Sequence, residues 1–420
     1  MIDVLDLIAK NRAGATIGLP CFCTANEHVL LAILDDAART GFPTVIEATC
    51  NQVNQDGGYT GMTPQDFMDW LRGMAKNAGV SMDQLIVGGD HLGPNPWRAE
   101  PAAIAMEKAH EMVKQYVKAG FQKIHLDASM ACGDETHLTF TQIARRAADL
   151  CVTAEKYAPN PKKLIYIIGT EVPIPGGETE EPTALDVTSV ARFQDTISTH
   201  REAFASRGLD AAWHRIVSVV TQPGVDFGHS SIYPYVPAKA QPLKEAILVE
   251  DGLTFEAHST DYQPTPALGA LVSTHFFFLK VGPELTFRFR EAVWALSDIE
   301  TQMQLANPSR IKDVMAAAMR NNPDHWVPYY RGTSDEIETQ KVFGYSDRIR
   351  YYWTEPTVAD ALKTLLSNLD AQSLSDPIIS QSFMGLEFGE IISEPRSLLS
   401  RHIQRCVRRY FEAAGFSRYP

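Results

Sequence analysis

Eight short apolar segments divide the chain, and longer segments with helical spacing separate them. Each apolar segment has the length of a strand and is nearly continuous in apolar residues, which is typical of parallel strands buried on both faces. Eight strands that alternate with helices match a (β/α)8 TIM barrel better than an open doubly wound sheet. The segments are Thr16–Phe22, Pro43–Thr49, Leu85–Asp90, Gln122–Ser129, Lys163–Glu171, Arg215–Gln222, Leu253–Asp261 and Phe276–Pro283.

Polar and ionisable side chains gather at the carboxyl ends of these segments. They are Glu47, Asp90, His91, Asp127, Glu171, Gln222, His258 and Asp261. The carboxyl ends of barrel strands meet at one face, where barrel enzymes carry their active sites. Any one of these residues alone could be a cap or a loop residue, but a barrel that serves only as a scaffold needs no such set. The pattern therefore favours an enzyme.

The composition argues against several other classes of protein. The formal net charge of -13 and the lack of a basic run argue against non-specific nucleic-acid binding. The six cysteines lack the paired spacing of metal sites, which is typical of reduced thiols in a cytoplasmic protein. We find no signal peptide in the first twenty residues and no apolar run near the ~18 residues of a membrane span. We therefore expect a cytoplasmic protein.

The pattern of the chain changes after Leu285, where strand-like segments stop and helical segments continue to the end. We expect a TIM-barrel domain over 1–289 and a helical extension over 290–420. The extension is expected to pack on the barrel or on an oligomer partner.

One stretch of the extension, Phe343–Trp353, is rich in aromatic residues and arginines. Such a composition more often indicates packing than a binding site. Its Ser346, Arg348 and Arg350 could nevertheless reach a phosphate, because guanidinium groups bind phosphate through paired hydrogen bonds.

A metal site is a second expectation at the barrel mouth. His91, Glu171 and His258 follow the third, fifth and seventh strands, and two imidazoles with a carboxylate form a catalytic Zn²⁺ set. Asp127 is a candidate fourth ligand or a residue that orients a ligand. No local motif such as HExxH accompanies the set. Asp90, Asp127 and Glu47 are the candidate catalytic carboxylates, although an Asp-His pair such as Asp90-His91 can also cap a loop.

Phosphate binding is a third expectation. Gly282 follows the eighth strand, where barrels often bind phosphate through backbone N–H groups, and Ser259 and Thr260 follow the seventh. Gln222 and Lys280 complete the candidate set. The chain has no GxxxxGK[ST] or GxGxxG motif where a nucleotide site would need one, which counts against a P-loop kinase.

Eight long motifs resemble those of the D-tagatose-1,6-bisphosphate aldolase accessory-subunit family, of the GatZ/KbaZ type. The motifs are Glu47–Pro64, Gly88–Asn95, Lys123–Asp127, Ile168–Gly177, Gln222–Phe227, Phe255–Gln263, Leu279–Phe287 and Tyr345–Trp353. The resemblance covers almost the whole chain. The resemblance implies a TIM barrel and a role in ketohexose-phosphate metabolism. Members are labelled as non-catalytic aldolase subunits, as tagatose 6-phosphate kinases and as D-tagatose 6-phosphate 4-epimerases.

The family is also similar to the catalytic class II aldolases, in which an Asp-His pair supplies an acid/base and a zinc ligand. Asp90 and His91 match that pair, and His258 matches a later zinc ligand in part. The aldolase ligand in a Gly-Thr-x-His element is missing, since this chain has Gly169–Val172 there. The resemblance therefore implies a divalent metal, with Glu171 in place of the histidine.

These observations lead to one main hypothesis and two alternatives. The main hypothesis is a metal-dependent D-tagatose 6-phosphate 4-epimerase, in which Asp90 takes the C4 hydroxyl proton, the C3–C4 bond breaks and re-addition inverts C4. The lid would be the helical extension or the glycine-rich loop 54–63. The alternative is a non-catalytic subunit that stabilises a separate catalytic aldolase, and the third is the kinase. We expect a sugar phosphate as the ligand and a homo-oligomer.

Overall fold

A computed structural model describes residues 3–172, 185–372, 374–383 and 394–416 of the chain. Eight parallel strands close into a barrel, in which each strand pairs with its neighbours in chain order and the last pairs with the first. The strands are β1 (Leu19–Cys23), β2 (Thr44–Thr49), β3 (Leu85–Leu92), β4 (Lys123–Leu126), β5 (Ile165–Gly169), β6 (Ile216–Val220), β9 (Thr254–Ala257) and β10 (Phe276–Val281). The predicted TIM barrel is confirmed. Residues 173–177 of one family motif lie outside the described residues.

Fifteen α-helices lie among the described residues, and those between the barrel strands surround the barrel. They are α1 (Val4–Arg12), α2 (Glu27–Thr40), α3 (Pro64–Ala78), α4 (Ala102–Ala119), α5 (Phe140–Tyr157), α6 (Val190–Ala205), α7 (Asp210–Trp213), α8 (Pro237–Ile247), α9 (Thr265–Ser273), α10 (Pro283–Gln302), α11 (Ile311–Asn321), α12 (Ser334–Phe343), α13 (Pro356–Asp370), α14 (Asp376–Ser382) and α15 (Pro395–Ala413). No helix in the described part is long and apolar enough to span a membrane.

Local sequence sets the helix ends. Thr63 and Asp66 form a capping box at the start of α3, where the backbone N–H of each residue donates to the side chain of the other. The same helix stops at Gly79, whose left-handed backbone conformation costs a glycine little. These ends fix the length of the helix and return the chain to the barrel for β3.

The extension continues the barrel without a break. Helix α10 starts two residues after β10 and runs through the boundary expected at 289/290. Helix α15 returns to pack on α2, α9 and α10, and Phe411 of α15 contacts Phe22 of β1 with ring centroids 5.7 Å apart. One apolar core therefore joins the barrel to the extension.

A small hairpin helps to place the extension over the barrel mouth. Its strands are β7 (Asp226–Phe227) and β8 (Ile232–Tyr233), which follow β6. Between them, the carbonyl of His229 accepts a hydrogen bond from the backbone N–H of Tyr345 at 2.8 Å. The Nδ1 atom of His229 lies 2.8 Å from the hydroxyl of Ser346. These contacts tie the stretch rich in aromatic residues and arginines to a barrel loop.

Candidate active site

A cavity opens at the carboxyl ends of the barrel strands and is roofed by the extension. Its volume of about 180 Å³ greatly exceeds the ~10–15 Å³ that one water needs, so it has room for a metabolite. Barrel residues that line it include Asp90, His91, His258 and Lys280. The segment Tyr345–Thr354, called the roof segment below, supplies further lining residues.

A buried group of charged side chains, called the charged floor below, includes two residues of the cavity lining, Asp90 and Lys280. It consists of Glu47, Asp90, Lys123, Glu256 and Lys280. Lys123 lies 2.7 Å from Glu47 and 2.5 Å from Glu256, while Lys280 pairs with Glu47 and lies 2.9 Å from Asp90. Burial would lower the pKa of both lysines, but these carboxylates outweigh it and raise the pKa of each. The two ammonium groups are therefore charged and hold the carboxylates in place.

The two oxygens of Asp90 have different surroundings. Its Oδ1 lies 2.9 Å from the Nζ of Lys280 and 2.9 Å from the Nδ1 of His125. Its Oδ2 has only the longer contacts of 3.6 Å to the Nε2 of His91 and 3.8 Å to the Sγ of Cys23. Burial would raise the pKa of Asp90, but His91, Lys280 and His125 together hold it well below its ordinary value. Asp90 is thus an ionised carboxylate that is anchored through its Oδ1 and has only longer contacts at its Oδ2 among the described residues.

Asp127 contacts His91, which is the geometry of a residue that orients a ligand. The Nδ1 of His91 lies 2.9 Å from the Oδ2 of Asp127, and the backbone and hydroxyl of Ser129 donate to the other oxygen. Burial would raise the pKa of Asp127, but these partners lower it to about 2. Asp90 and Asp127 in turn raise the pKa of His91 against the effect of burial. His91 itself has a positive φ of 52°, a strained conformation that turns its side chain at the strand end.

Three imidazoles, those of His91, His125 and His258, face one another above the charged floor. Their ring centroids lie 4.9 to 5.3 Å apart. The Nε2 of His258 lies 2.9 Å from Glu256, and burial lowers the pKa of His258 to about 4, so this ring is neutral. The Nδ1 of His125 lies 2.9 Å from the Oδ1 of Asp90 and 3.2 Å from the backbone nitrogen of His91, and its Nε2 is buried without a hydrogen-bond partner among the described residues.

These donors fit a divalent transition metal. Donor atoms of Asp90, His125, Glu256 and His258 all lie within 4.8 Å of one another. Neutral imidazoles with carboxylates are the ligands that Zn²⁺ and similar metals take, and the unpartnered Nε2 of His125 is the kind of atom that a metal would satisfy. The carboxylates of the floor also outnumber its ammonium groups, which favours a cation.

Sequence reasoning missed His125, although a signal for it was present. Lys123, His125 and Asp127 occupy alternate positions of β4 and the residues that follow it, so they share one face of the strand. Three polar residues at this spacing in a buried strand indicate a polar barrel interior. Glu256 and His258 repeat the alternation at β9.

Glu171, the expected third metal ligand, lies apart from the cavity lining. Strand β5 ends at Gly169, and the chain then turns so that Glu171 pairs with Arg192 of α6 at 2.6 Å. The side chain that lies beside His91 and His258 is that of His125, whereas the sequence assigned this position to Glu171. The physical reason is that a barrel strand brings its own interior residues together, whereas residues beyond its end follow the loop.

Several expected phosphate ligands already have partners. The side-chain oxygen of Gln222 accepts the N–H groups of Gly224 and Val225, and the hydroxyl of Thr260 donates to the carbonyl of Lys280 at 2.7 Å. The ammonium group of Lys280 belongs to the charged floor. Gln222 and Thr260 do not line the cavity, whereas Lys280 does.

Ser259 and Gly282 do line the cavity, but the N–H of Gly282 is engaged. It donates to the Oδ1 of Asp261 at 3.0 Å, and the N–H of Glu284 donates to the same oxygen at 2.8 Å. Burial raises the pKa of Asp261 to about 7 despite these two bonds. The start of α10 is therefore bound by a side chain of the chain itself.

Comparisons with known proteins agree over nearly the whole chain. The model of the family described as D-tagatose-1,6-bisphosphate aldolase subunit GatZ/KbaZ-like matches residues 4–415. The chain is 45% identical over 416 residues to "D-tagatose-1,6-bisphosphate aldolase subunit GatZ" of Salmonella newport (strain SL254), which covers 96% of this chain and 97% of that protein. It is 44% identical over 413 residues to the protein of the same name from Klebsiella pneumoniae, with the same shares covered.

A solved structure is also similar to nearly the whole chain. The crystal structure of a probable tagatose 6 phosphate kinase from Sinorhizobium meliloti 1021 superposes with a TM-score of 0.87 at 42% identity. The match covers 94% of this chain and 100% of that chain. The extension as well as the barrel is therefore similar in that protein.

Proposed function

This chain belongs to the D-tagatose-1,6-bisphosphate aldolase subunit GatZ/KbaZ-like family, and on that premise we propose that its cavity acts on a ketohexose phosphate. The proposed reaction is the 4-epimerisation of D-tagatose 6-phosphate to fructose 6-phosphate by retro-aldol and aldol steps. The observation that carries the proposal is the cavity at the barrel mouth, in which Asp90 lies beside three imidazoles. A purely structural subunit has no need of such a set.

Asp90 would move the proton in this reaction. Its Oδ2 takes the proton of the C4 hydroxyl, C4 becomes an aldehyde as the C3–C4 bond breaks, and the electron pair of that bond stays with C3 and is delocalised toward the C2 carbonyl. The aldehyde fragment turns its other face to C3, the bond re-forms and Asp90 returns the proton. Atoms and electrons balance, and C4 is inverted.

The remaining residues of the site would position Asp90 and the substrate. Lys280 and His125 hold the Oδ1 of Asp90 and leave its Oδ2 toward the cavity, while the roof segment excludes water from the two fragments. The metal would be held by His125 and His258, with His91 or Glu256 as the third donor. A divalent metal at this position supplies Lewis acidity toward the C2 carbonyl.

A second candidate function is that of a non-catalytic subunit which binds and stabilises a separate catalytic aldolase. The names of the relatives favour it, because they describe a subunit of D-tagatose-1,6-bisphosphate aldolase and do not describe an epimerase. The third hypothesis, a tagatose 6-phosphate kinase, matches the name of the Sinorhizobium meliloti protein.

One experiment separates these functions. The purified protein is incubated alone with D-tagatose 6-phosphate and Zn²⁺, and fructose 6-phosphate is followed over time. We expect turnover, and we expect Asp90→Asn to reduce it at least about hundredfold while exposed Asp313→Asn leaves it unchanged. Undiminished turnover in Asp90→Asn would contradict the role of Asp90. Tight co-purification with a catalytic aldolase and no turnover would favour the subunit, and ATP-dependent loss of the sugar phosphate would favour the kinase.

A further inference from the structure

Two arginines of the roof segment reach the cavity that contains the charged floor. Arg348 and Arg350 lie on a short 3₁₀ helix, Arg348–Tyr351, and both line the cavity together with Ser346. The floor lies on the barrel strands and carries more carboxylates than ammonium groups, whereas the roof contributes guanidinium groups. The cavity is thus negative at one end and positive at the other.

Aromatic stacking and hydrogen bonds to neutral oxygens help to hold both guanidinium groups in place. Arg348 stacks on the ring of Tyr329 at 3.4 Å, and its Nε donates to the carbonyl of His325 at 2.5 Å. Arg350 stacks on Tyr351 at 4.5 Å. Stacking fixes the plane of a guanidinium and so orients the N–H groups at its edge.

The hydrogen bonds of Arg350 go to neutral oxygens. It donates to the carbonyls of Ser346 and Asp347 and, at 2.9 Å, to the hydroxyl of Tyr351. These contacts orient the side chain without cancelling its charge. A preoriented cation in a cavity favours the binding of an anion, because less ordering is needed on binding.

Asp347 lies between Ser346 and Arg348 in the sequence, but its carboxylate is turned away from the two arginines that line the cavity. Asp347 has a positive φ of 45°, a conformation that non-glycine residues rarely adopt. Its carboxylate lies 3.1 Å from the buried Arg290 and accepts a hydrogen bond from Thr286 at 2.6 Å. The strained backbone therefore commits this carboxylate to Arg290.

The pKa of the Tyr351 phenol reflects the positive charges of the two arginines beside it. Burial would raise its pKa, but the charges of Arg350 and Arg348 and their hydrogen bonds lower it overall. Two like charges that approach one ring repel each other, and an anion between them would relieve the repulsion.

We propose that Arg348 and Arg350, with the hydroxyl of Ser346, form the subsite for the phosphate monoester of the substrate. The phosphate then lies under the roof segment, and the reacting carbons lie over the imidazoles and Asp90. The identity of the sugar rests on the proposed function. The assignment of the subsite to a phosphate group does not depend on that function. Three of the barrel groups expected to bind phosphate, those of Gln222, Thr260 and the N–H of Gly282, are engaged by the chain itself.

Calorimetric titration of the full-length protein tests the subsite. The probes are D-tagatose 6-phosphate, inorganic phosphate and D-tagatose, and the variants are Arg348→Met and Arg350→Met. We expect each variant to bind both phosphate compounds at least about tenfold more weakly, because a hydrogen bond to a charged group contributes ~1.5–3 kcal/mol. Binding of D-tagatose should be unchanged. The control is Arg320→Met, which removes an exposed arginine of α11 and should bind all three probes like the wild type.

Two further measurements keep the test decisive. If a methionine variant does not fold, Arg348→Lys and Arg350→Lys retain the charge but lose the planar fork, and wild-type phosphate affinity in both would contradict the proposal. A crystal structure with phosphate bound only at Ser259 and Gly282, or only at the imidazoles, would also overturn it. Weaker phosphate binding in the variants of a protein that shows no turnover would preserve the subsite and refute the proposed reaction.

Discussion

At the scale of single residues, His125 is the side chain on which the metal hypothesis depends most. Its Nδ1 serves Asp90, and its Nε2 is buried without a hydrogen-bond partner in the described part of the chain. A buried polar ring nitrogen without a partner costs free energy unless an ion or a water satisfies it. The protein therefore retains an unfavourable arrangement that a metal would relieve.

The first prediction concerns metal content. We expect His125→Gln to bind Zn²⁺ at least about tenfold more weakly than the wild type, since it removes one imidazole from a shared donor set. Titration with Zn²⁺ and elemental analysis after dialysis measure this without any assay of turnover. The control is His137→Gln, an exposed histidine outside the cavity lining. Equal Zn²⁺ binding by wild type and His125→Gln would show that this imidazole is not a ligand.

The second prediction concerns His200 on α6, far from the cavity lining. Its Nδ1 lies 2.8 Å from the carbonyl of Thr196, and its Nε2 is buried without a hydrogen-bond partner among the described residues. Burial lowers the pKa of His200 to about 4. The pKa of His200 in the folded protein is thus below its unfolded value of ~6.5. The stability that neutral His200 contributes is therefore present above pH 6.5 and is lost as the pH falls toward 4.

The free energy of unfolding, measured in urea at pH 7 and pH 4.5, tests whether stability falls as the pH falls. The loss attributable to His200 between these values is about 2 to 3 kcal/mol, from ~1.4 kcal/mol per pKa unit. We expect His200→Gln to show a correspondingly smaller pH dependence of the free energy of unfolding. Exposed His137→Gln should keep the wild-type dependence. A wild-type dependence in His200→Gln would mean that His200 does not titrate in this range.

At the scale of the elements, the close approach of two strand ends sets the geometry of the imidazoles. Gly93 follows β3, and a Cβ on it would lie 1.6 Å from the carbonyl oxygen of Asp127, which follows β4. The backbone of Gly93 is not left-handed, so space alone requires the glycine. Its absent side chain lets Asp127 reach His91.

The third prediction follows from that contact. We expect Gly93→Ala to lower the free energy of unfolding by more than about 2 kcal/mol and to weaken Zn²⁺ binding, because the two strand ends must move apart. Gly73→Ala on α3 is the matched control, since a Cβ there meets nothing within 4 Å. It should be neutral or stabilising by about 0.5–1 kcal/mol. Similar effects of the two substitutions would contradict the steric argument.

The elements were predictable because their signals are local. Each of the eight barrel strands lies within or overlaps a predicted apolar segment, and Thr63 with Pro64 marks the start of α3. Strand ends were the weaker part of the prediction. The residues after a strand, such as Glu171, follow the path of the loop, and no local pattern in the sequence fixes that path.

The site was predictable only where its residues lie on strand ends. Asp90, His91 and His258 meet in the cavity as barrel geometry requires. Arg348 and Arg350 reach the cavity because the extension folds back over the barrel. Their positions therefore depend on contacts between segments far apart in sequence. The sequence alone could therefore suggest that these arginines reach a phosphate but could not place them.

At the scale of the whole molecule, the barrel and the extension share one apolar core. Phe411 of α15 packs on Phe22 and Phe42 of the barrel domain, with ring centroids 5.7 and 5.4 Å apart. Arg409 pairs with Glu284 at 2.5 Å, and the hydroxyl of Tyr410 donates to the carbonyl of Thr260 at 2.7 Å. The expected boundary at 289/290 lies within helix α10.

The fourth prediction is that this chain unfolds in one cooperative transition, because neither part can bury its apolar surface alone. Scanning calorimetry should show a single peak. Phe411→Ala should destabilise the whole molecule by about 3–5 kcal/mol and move that peak to lower temperature without splitting it. Phe343→Ala removes a phenylalanine that is 68% exposed and should change stability by no more than about 0.5 kcal/mol. A separate low-temperature peak in Phe411→Ala would instead show that the extension melts from an intact barrel, and the roof of the cavity would then be an independent domain.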